Sequence, residues 1–168
     1  AGVQIARVLV PEQQLAENSY VIEVPEAAEV ADAAPQDTGP EPILALLASA
    51  DVSAGEKLAK KCTACHVFEA GGANKVGPAL WGVVNKTKAS VDGFAYSSAL
   101  AGFGGAWDYQ SLNAFLAKPK SYISGTKMNF AGLKKPEDRA NMVAWMRTMA
   151  DSQVPLPTAE DIAAESGS

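Results

Sequence analysis

Cys62-Thr63-Ala64-Cys65-His66 is the stretch that most constrains this chain. Both cysteines and the one histidine of its 168 residues lie inside these five positions. Two thiols three positions apart near a helix end face the same way, so both can reach the vinyl groups of one porphyrin. The adjacent imidazole then sits under the iron as an axial ligand. The spacing is therefore read as covalent haem attachment. Two other readings compete with it. A thioredoxin-type redox pair belongs beside a βαβ pattern, and the sequence shows none. A metal knuckle needs further Cys or His ligands, and none is left.

A second axial ligand must come from elsewhere. With no histidine remaining, a neutral thioether is the natural candidate. Met142, Trp145, Met146 and Met149 fall at i, i+3, i+4 and i+7, an apolar stripe that reads as core. Met128 is different. It follows Ser124-Gly125-Thr126-Lys127 in a glycine-bearing loop after Pro119, where no helical pattern buries it. It is either a surface-loop methionine or the ligand.

Around the motif the pattern is helical. Ser53 and Glu56 predict a capping box opening a helix through Lys61. Asp108 is a good N-cap for a helix over 109–117 that Pro119 stops. Pro136 suits the first turn of a helix running to about Met149. Ile43 to Leu47 predicts a helical turn. Glycines crowd residues 71–105, so long loops join few helices. The expectation is an all-α domain over 43–150 whose core is thin on its own, the porphyrin supplying the missing core material.

The flanks read differently. Residues 1–42 form an acidic Pro/Ala-rich extension or linker. Within it Val3 to Val10 is a short apolar stretch, Tyr20 to Val24 a short extended piece, and 25–42 a disordered linker. Residues 151–168, with Pro155 and Pro157, read as an acidic disordered tail. The net charge of −5 hides this division. Residues 1–50 carry one basic and eight acidic side chains, net −7; residues 51–150 carry thirteen and seven, net +6; residues 151–168 carry none and four, net −4. The overall sign argues against nucleic-acid binding. A basic centre between acidic flanks suggests a docking surface. No run of 18 apolar residues is present, so no segment here spans a membrane.

The stretch from about 50 to 150 resembles class I cytochrome c, in particular the mitochondrial-type branch found also in alphaproteobacteria. The likeness rests on the Cys62–His66 motif, on Asn74-Lys75-Val76-Gly77-Pro78-Ala79-Leu80, on Gly93-Phe94-Ala95-Tyr96 and on Trp107-Asp108. Gly125-Thr126-Lys127-Met128 and Phe130-Ala131-Gly132-Leu133-Lys134-Lys135 extend it, and Arg139 to Met146 completes it. The resemblance implies a class I fold of few helices wrapped around one haem c, covalently held by Cys62 and Cys65. It implies His66 and Met128 as axial ligands, with Pro78 offering its carbonyl to the ring N–H of His66. Tyr96, Trp107 and Thr126 would hydrogen-bond the haem propionates, and Phe130 would close the Met side of the crevice. Leu58 would pack against Met142 and Trp145. Lys61, Lys75, Lys120, Lys127, Lys134 and Lys135 would ring the exposed haem edge as the surface for acidic partners; Glu56 and Ser121 replace two other such lysines.

There are departures. The family usually has a small polar residue where Leu100 stands, an Arg where Lys86 stands and a Tyr where Phe115 stands, which bears on the potential and on the Met loop. The implied function is one-electron transport in a respiratory chain, from a quinol:cytochrome c oxidoreductase to a terminal cytochrome c oxidase, and not an enzymatic one. The rivals are a permanent haem subunit of a larger oxidoreductase, and a gas sensor or peroxidase if Met128 is not bound to iron. Haem attachment of this type implies the periplasmic side of a bacterial membrane, or its mitochondrial counterpart. Residues 1–42 would then be a tether following an anchor that this chain lacks, the soluble periplasmic form being the alternative.

Overall fold

The computed structural model describes residues 39–167, and the readings for residues 1–38 lie outside them. The described part is helical. Its elements are α1 (Leu44–Leu47), α2 (Val52–Ala59), α3 (Ser98–Ala101), α4 (Tyr109–Ala117), α5 (Pro119–Tyr122), α6 (Pro136–Thr148) and α7 (Ala159–Ser166). The extended backbone contributes one isolated antiparallel bridge, between Thr87 and Ala106. No helix among the described residues is long and apolar enough to cross a membrane.

Local chemistry explains the helix ends. The Asp108 carboxylate accepts the Ser111 amide at 2.7 Å and starts α4. Pro136 occupies the first turn of α6, where its missing N–H costs nothing. Two expectations need correction here. The cap of α2 is Asp51, whose side chain accepts the Ala54 amide at 3.0 Å, and not a Ser53–Glu56 box. The Asp51 amide in turn donates to Asn141 Oδ1 on α6 at 2.8 Å, a long-range partner that fixes the entry two residues earlier. The helix also closes at Ala59, short of Lys61, and tight turns carry the chain on through Cys65. Pro119 both stops α4 and opens α5.

The core forms where α2 crosses α6, with α1 and α4 also packed on α6. A Cβ on Gly55 would lie 2.1 Å from the Asn141 carbonyl oxygen, so only glycine permits this approach. Met142, Val143, Trp145 and Met146 are buried on α6, and Leu58 is half-buried against the same cluster. The Phe68 ring meets Trp145 edge-on at 4.7 Å. Arg139 is 2% exposed and fully engaged. Its Nε donates to Asn113 Oδ1, its Nη1 to the Leu133 and Lys134 carbonyls, and its Nη2 to the Glu41 carbonyl. Asn113 Nδ2 also donates to that carbonyl, so the folded unit begins before residue 43.

The segment after 150 is a third correction. Instead of a disordered tail, residues 151–167 form a strap that ends in α7. Tyr109 Oη donates to the Pro155 carbonyl at 2.9 Å, and Arg147 donates to the Val154 carbonyl and to Gln153 Oε1. Trp81 Nε1 donates to Asp151. Val154 and Ile162 pack on the core. A capping box between Thr158 and Asp161 starts α7. Glu165 Oε2 then accepts the Leu44 amide at the N-terminus of α1 at 2.8 Å. Acidity and prolines alone suggested disorder; two apolar anchors and a cap outweigh them.

Candidate functional site

Consecutive turns shape the cysteine-histidine motif. The Cys62 amide donates to the Ala59 carbonyl, and the amides of Cys65 and His66 both donate to the Cys62 carbonyl. This coiling turns Cys62, Cys65 and His66 toward one cavity of about 290 Å³. On the far side of the motif the Gly77 amide donates to the Cys65 carbonyl at 2.8 Å, bringing Pro78 against the imidazole.

His66 Nδ1 donates to the Pro78 carbonyl at 2.8 Å, since a carbonyl only accepts. In the neutral ring this leaves Nε2 without a proton, the form in which imidazole binds metals. Burial holds the pKa of His66 below the ordinary histidine value, against the opposing pull of that carbonyl, so the ring stays neutral. Burial likewise pushes the half-buried Cys62 thiol up, with Lys61 working against it, while Cys65 is exposed at the rim.

All the cofactor-binding residues expected from sequence line this one cavity: Cys62, Cys65, His66, Pro78, Tyr96, Trp107, Thr126, Met128 and Phe130. Met128 is half-buried rather than a surface side chain. Its amide donates to Thr126 Oγ1 at 3.3 Å, which shapes the loop that carries it. Tyr96 Oη accepts the Val91 amide at 3.2 Å, and burial raises its pKa, so its own O–H remains a donor. The indole N–H of Trp107 has no acceptor among the described residues. Apolar walls come from Leu80, Val83, Leu100, Phe115 and Leu116, and Met142 and Met146 of α6 reach the same space.

The expected docking lysines are all exposed. Lys61 and Lys127 stand at the cavity, whereas Lys75, Lys120, Lys134 and Lys135 do not line it. Several of them tie loops together. Lys75 Nζ donates to the Thr63 carbonyl, Lys127 Nζ to the Ala95 carbonyl and Lys120 Nζ to Asn129 Oδ1. Val76, 80% exposed, adds an apolar patch at the rim. Sequence reasoning missed Lys88, a lysine buried behind Trp107. Its place in a glycine-rich loop gave no signal of burial.

A neutral imidazole, a thioether, two thiols and several hydrogen-bond donors around an apolar slot form the donor set of a c-type haem. Hence the residues present fit that group.

Known proteins agree with this chemistry. The family model "Cytochrome c" matches residues 52–150. A cytochrome c homolog of Bradyrhizobium diazoefficiens is 48% identical over 120 residues, 71% of this chain and 65% of that protein, so the match leaves about a third of the relative uncovered. A cytochrome c homolog of Rickettsia felis is 41% identical over 138 residues, 82% of this chain and 79% of the relative. Cytochrome c of Chlamydomonas reinhardtii is 45% identical over 98 residues, 58% of this chain and 88% of that protein. Among solved structures, cytochrome cH from Methylobacterium extorquens superposes with a TM-score of 0.55 at 42% identity, covering 58% of this chain and 98% of its own.

Proposed function

The chain belongs to the cytochrome c family, whose all-α class I members carry covalent haem c and act as electron carriers rather than enzymes, and from that premise we propose the following assignment. Bound in the cavity, haem c supplies a centre that accepts and returns a single electron. Cys62 and Cys65 hold it through thioether bonds. His66 and Met128 would hold its iron, and the Pro78 carbonyl would fix the imidazole tautomer and raise its basicity. Tyr96, Trp107 and Thr126 offer hydrogen bonds to the propionates. Phe130, with the apolar walls, keeps water from the iron.

One observation carries this reading: the nine residues named from sequence line a single cavity, with His66 kept neutral by burial and its Nδ1–H fixed on the Pro78 carbonyl. The lysines Lys61, Lys75, Lys120, Lys127, Lys134 and Lys135 form the docking side for acidic partners. The donor we propose is a quinol:cytochrome c oxidoreductase and the acceptor a terminal cytochrome c oxidase. The charge split along the chain supports oppositely charged partners, since electrostatic complementarity speeds encounter and fixes register. We place the domain on the periplasmic side of a bacterial membrane, tethered there through residues 1–42. The tether would raise its effective concentration at membrane-bound partners.

The axial assignment is tested by Met128→Ala in the haem-loaded chain. The charge-transfer band of Met-ligated ferric haem disappears and the midpoint potential falls. A band that survives the substitution assigns the ligand elsewhere. Partner choice is tested separately by oxidase turnover across ionic strength, which falls as salt screens the lysines.

A further inference from the structure

Lys88 takes no part in the site assigned above and does not line the cavity, yet it is only 8% exposed. No carboxylate pairs with it among the described residues. Its Nζ donates to the Ala106 carbonyl at 2.6 Å and to Ser111 Oγ at 3.1 Å. Ser111 Oγ also accepts the Tyr122 hydroxyl at 3.2 Å. The ammonium lies 5.1 Å from the Trp107 ring centroid and 5.4 Å from that of Phe103. Gly105 leaves room for it, since a Cβ there would come within 3.3 Å of Nζ.

Each of these neighbours favours a cation: a carbonyl dipole, a hydroxyl oxygen and two ring faces. None of them cancels its charge. A lysine serving solubility would sit in water, and one serving only as filler would be better replaced by an apolar side chain, because burying an unpaired charge is costly. Trp107 joins this ammonium to the cavity, since it lines the cavity and its ring meets Nζ.

We propose that Lys88 is an electrostatic tuning residue, a fixed positive charge behind Trp107 that raises the reduction potential of the group in the cavity. The inference rests on the haem reading above. The oxidised centre carries one positive charge more than the reduced one. A nearby buried cation therefore disfavours the oxidised form, and an electron arriving from the donor is held more tightly. Lys88 acts through space and through its hold on Trp107, so it is a positioning residue and not a ligand.

The test is spectroelectrochemical titration of the full haem-loaded chain carrying Lys88→Met, Lys88→Arg or Lys88→Gln. Lys88→Met keeps most of the volume and removes the charge. At a fixed electrode potential its ferric-to-ferrous ratio rises on the order of tenfold, as expected for a unit charge at this range in a weakly screening interior. For a one-electron couple that is about 59 mV downward. Lys88→Arg keeps the potential near that of the parent. The shift persists at high salt because buried charges are little screened, whereas the smaller shift from Lys60→Met, at an exposed lysine, vanishes there. A Lys88→Met protein with the parent's potential and a lowered melting temperature would make Lys88 a structural strut and overturn the proposal. Should Lys88→Met fail to fold, Lys88→Gln against Lys88→Arg decides by the same potentials. A parent chain that takes up no thioether-linked haem yields no potential at all. The haem reading then fails, and does so distinguishably from the Lys88 proposal.

Discussion

At the scale of single residues, the imidazole of His66 is clamped between a hydrogen bond and a wall. The Pro78 carbonyl accepts a hydrogen bond from its Nδ1–H, at 2.8 Å between N and O. A Cβ built on Gly77 would lie 2.3 Å from Cε1 and 2.7 Å from both ring nitrogens. Neither ring nor backbone has room to retreat without breaking the contact to Pro78. Gly77→Ala should therefore destabilise the haem-loaded protein by about 1–3 kcal/mol, the usual cost of overpacking, and should perturb its visible spectrum. Thermal unfolding followed at the haem band measures both, and an unchanged melting temperature would show that the ring has slack. The residues around this clamp were legible in the sequence because ligand chemistry restricts residue type and spacing together. The Cys62–His66 motif and the Met128 loop both do so. Lys88 was not legible, since its burial depends on Trp107, Phe103 and Ser111, which only the folded chain brings to it.

At the scale of elements, helix ends decided by local chemistry could be read and those decided by tertiary partners could not. Asp108 with Pro119, and Pro136, mark α4 and α6 within a residue or two. For α2 two cap signals lie two residues apart. Ser53 with Glu56 is the richer local pattern, yet Asp51 caps the helix, because Asn141 on α6 takes its amide. That choice can be measured. Asp51→Ala should cost about 1 kcal/mol, the typical value for a lost N-cap. Ser53→Ala, at an exposed position in the first turn, should change stability by less than about 0.5 kcal/mol. Chemical denaturation of both variants gives the comparison, and equal losses would restore the Ser53 box. The short α5 escaped notice for a related reason: Pro119 was read as a stop, and the same fixed φ that ends α4 starts the next turn.

At the scale of the whole molecule, the charge split takes a form that composition alone did not show. The acidic C-terminal segment does not hang free, and none of its residues lines the cavity. Three of its four carboxylates are engaged by the fold itself: Asp151 accepts the Trp81 indole N–H, Asp161 caps α7 and Glu165 accepts the Leu44 amide at the start of α1. Negative charge is thus held on a strap that contributes nothing to the cavity lined by Lys61 and Lys127, which suits the basic docking side proposed there. Removal of residues 151–168 should lower stability by about 2 kcal/mol, from two half-buried apolar side chains and a few net hydrogen bonds. That corresponds to a drop of roughly 8 °C in melting temperature, with the haem spectrum retained. The strap also carries a pH signature. The Thr158 hydroxyl and amide, both donating to the Asp161 carboxylate, hold its pKa below the ordinary aspartate value. Folding therefore favours the ionised form. The contribution of this capping box is complete above the unfolded-chain value, near about 3.9, and is lost as pH falls through the lower folded value. Asp161→Asn should remove that part of the acid dependence and leave stability at neutral pH reduced. Melting curves of both proteins from neutral to acidic pH check the sign, and a gap that widens toward low pH would contradict it.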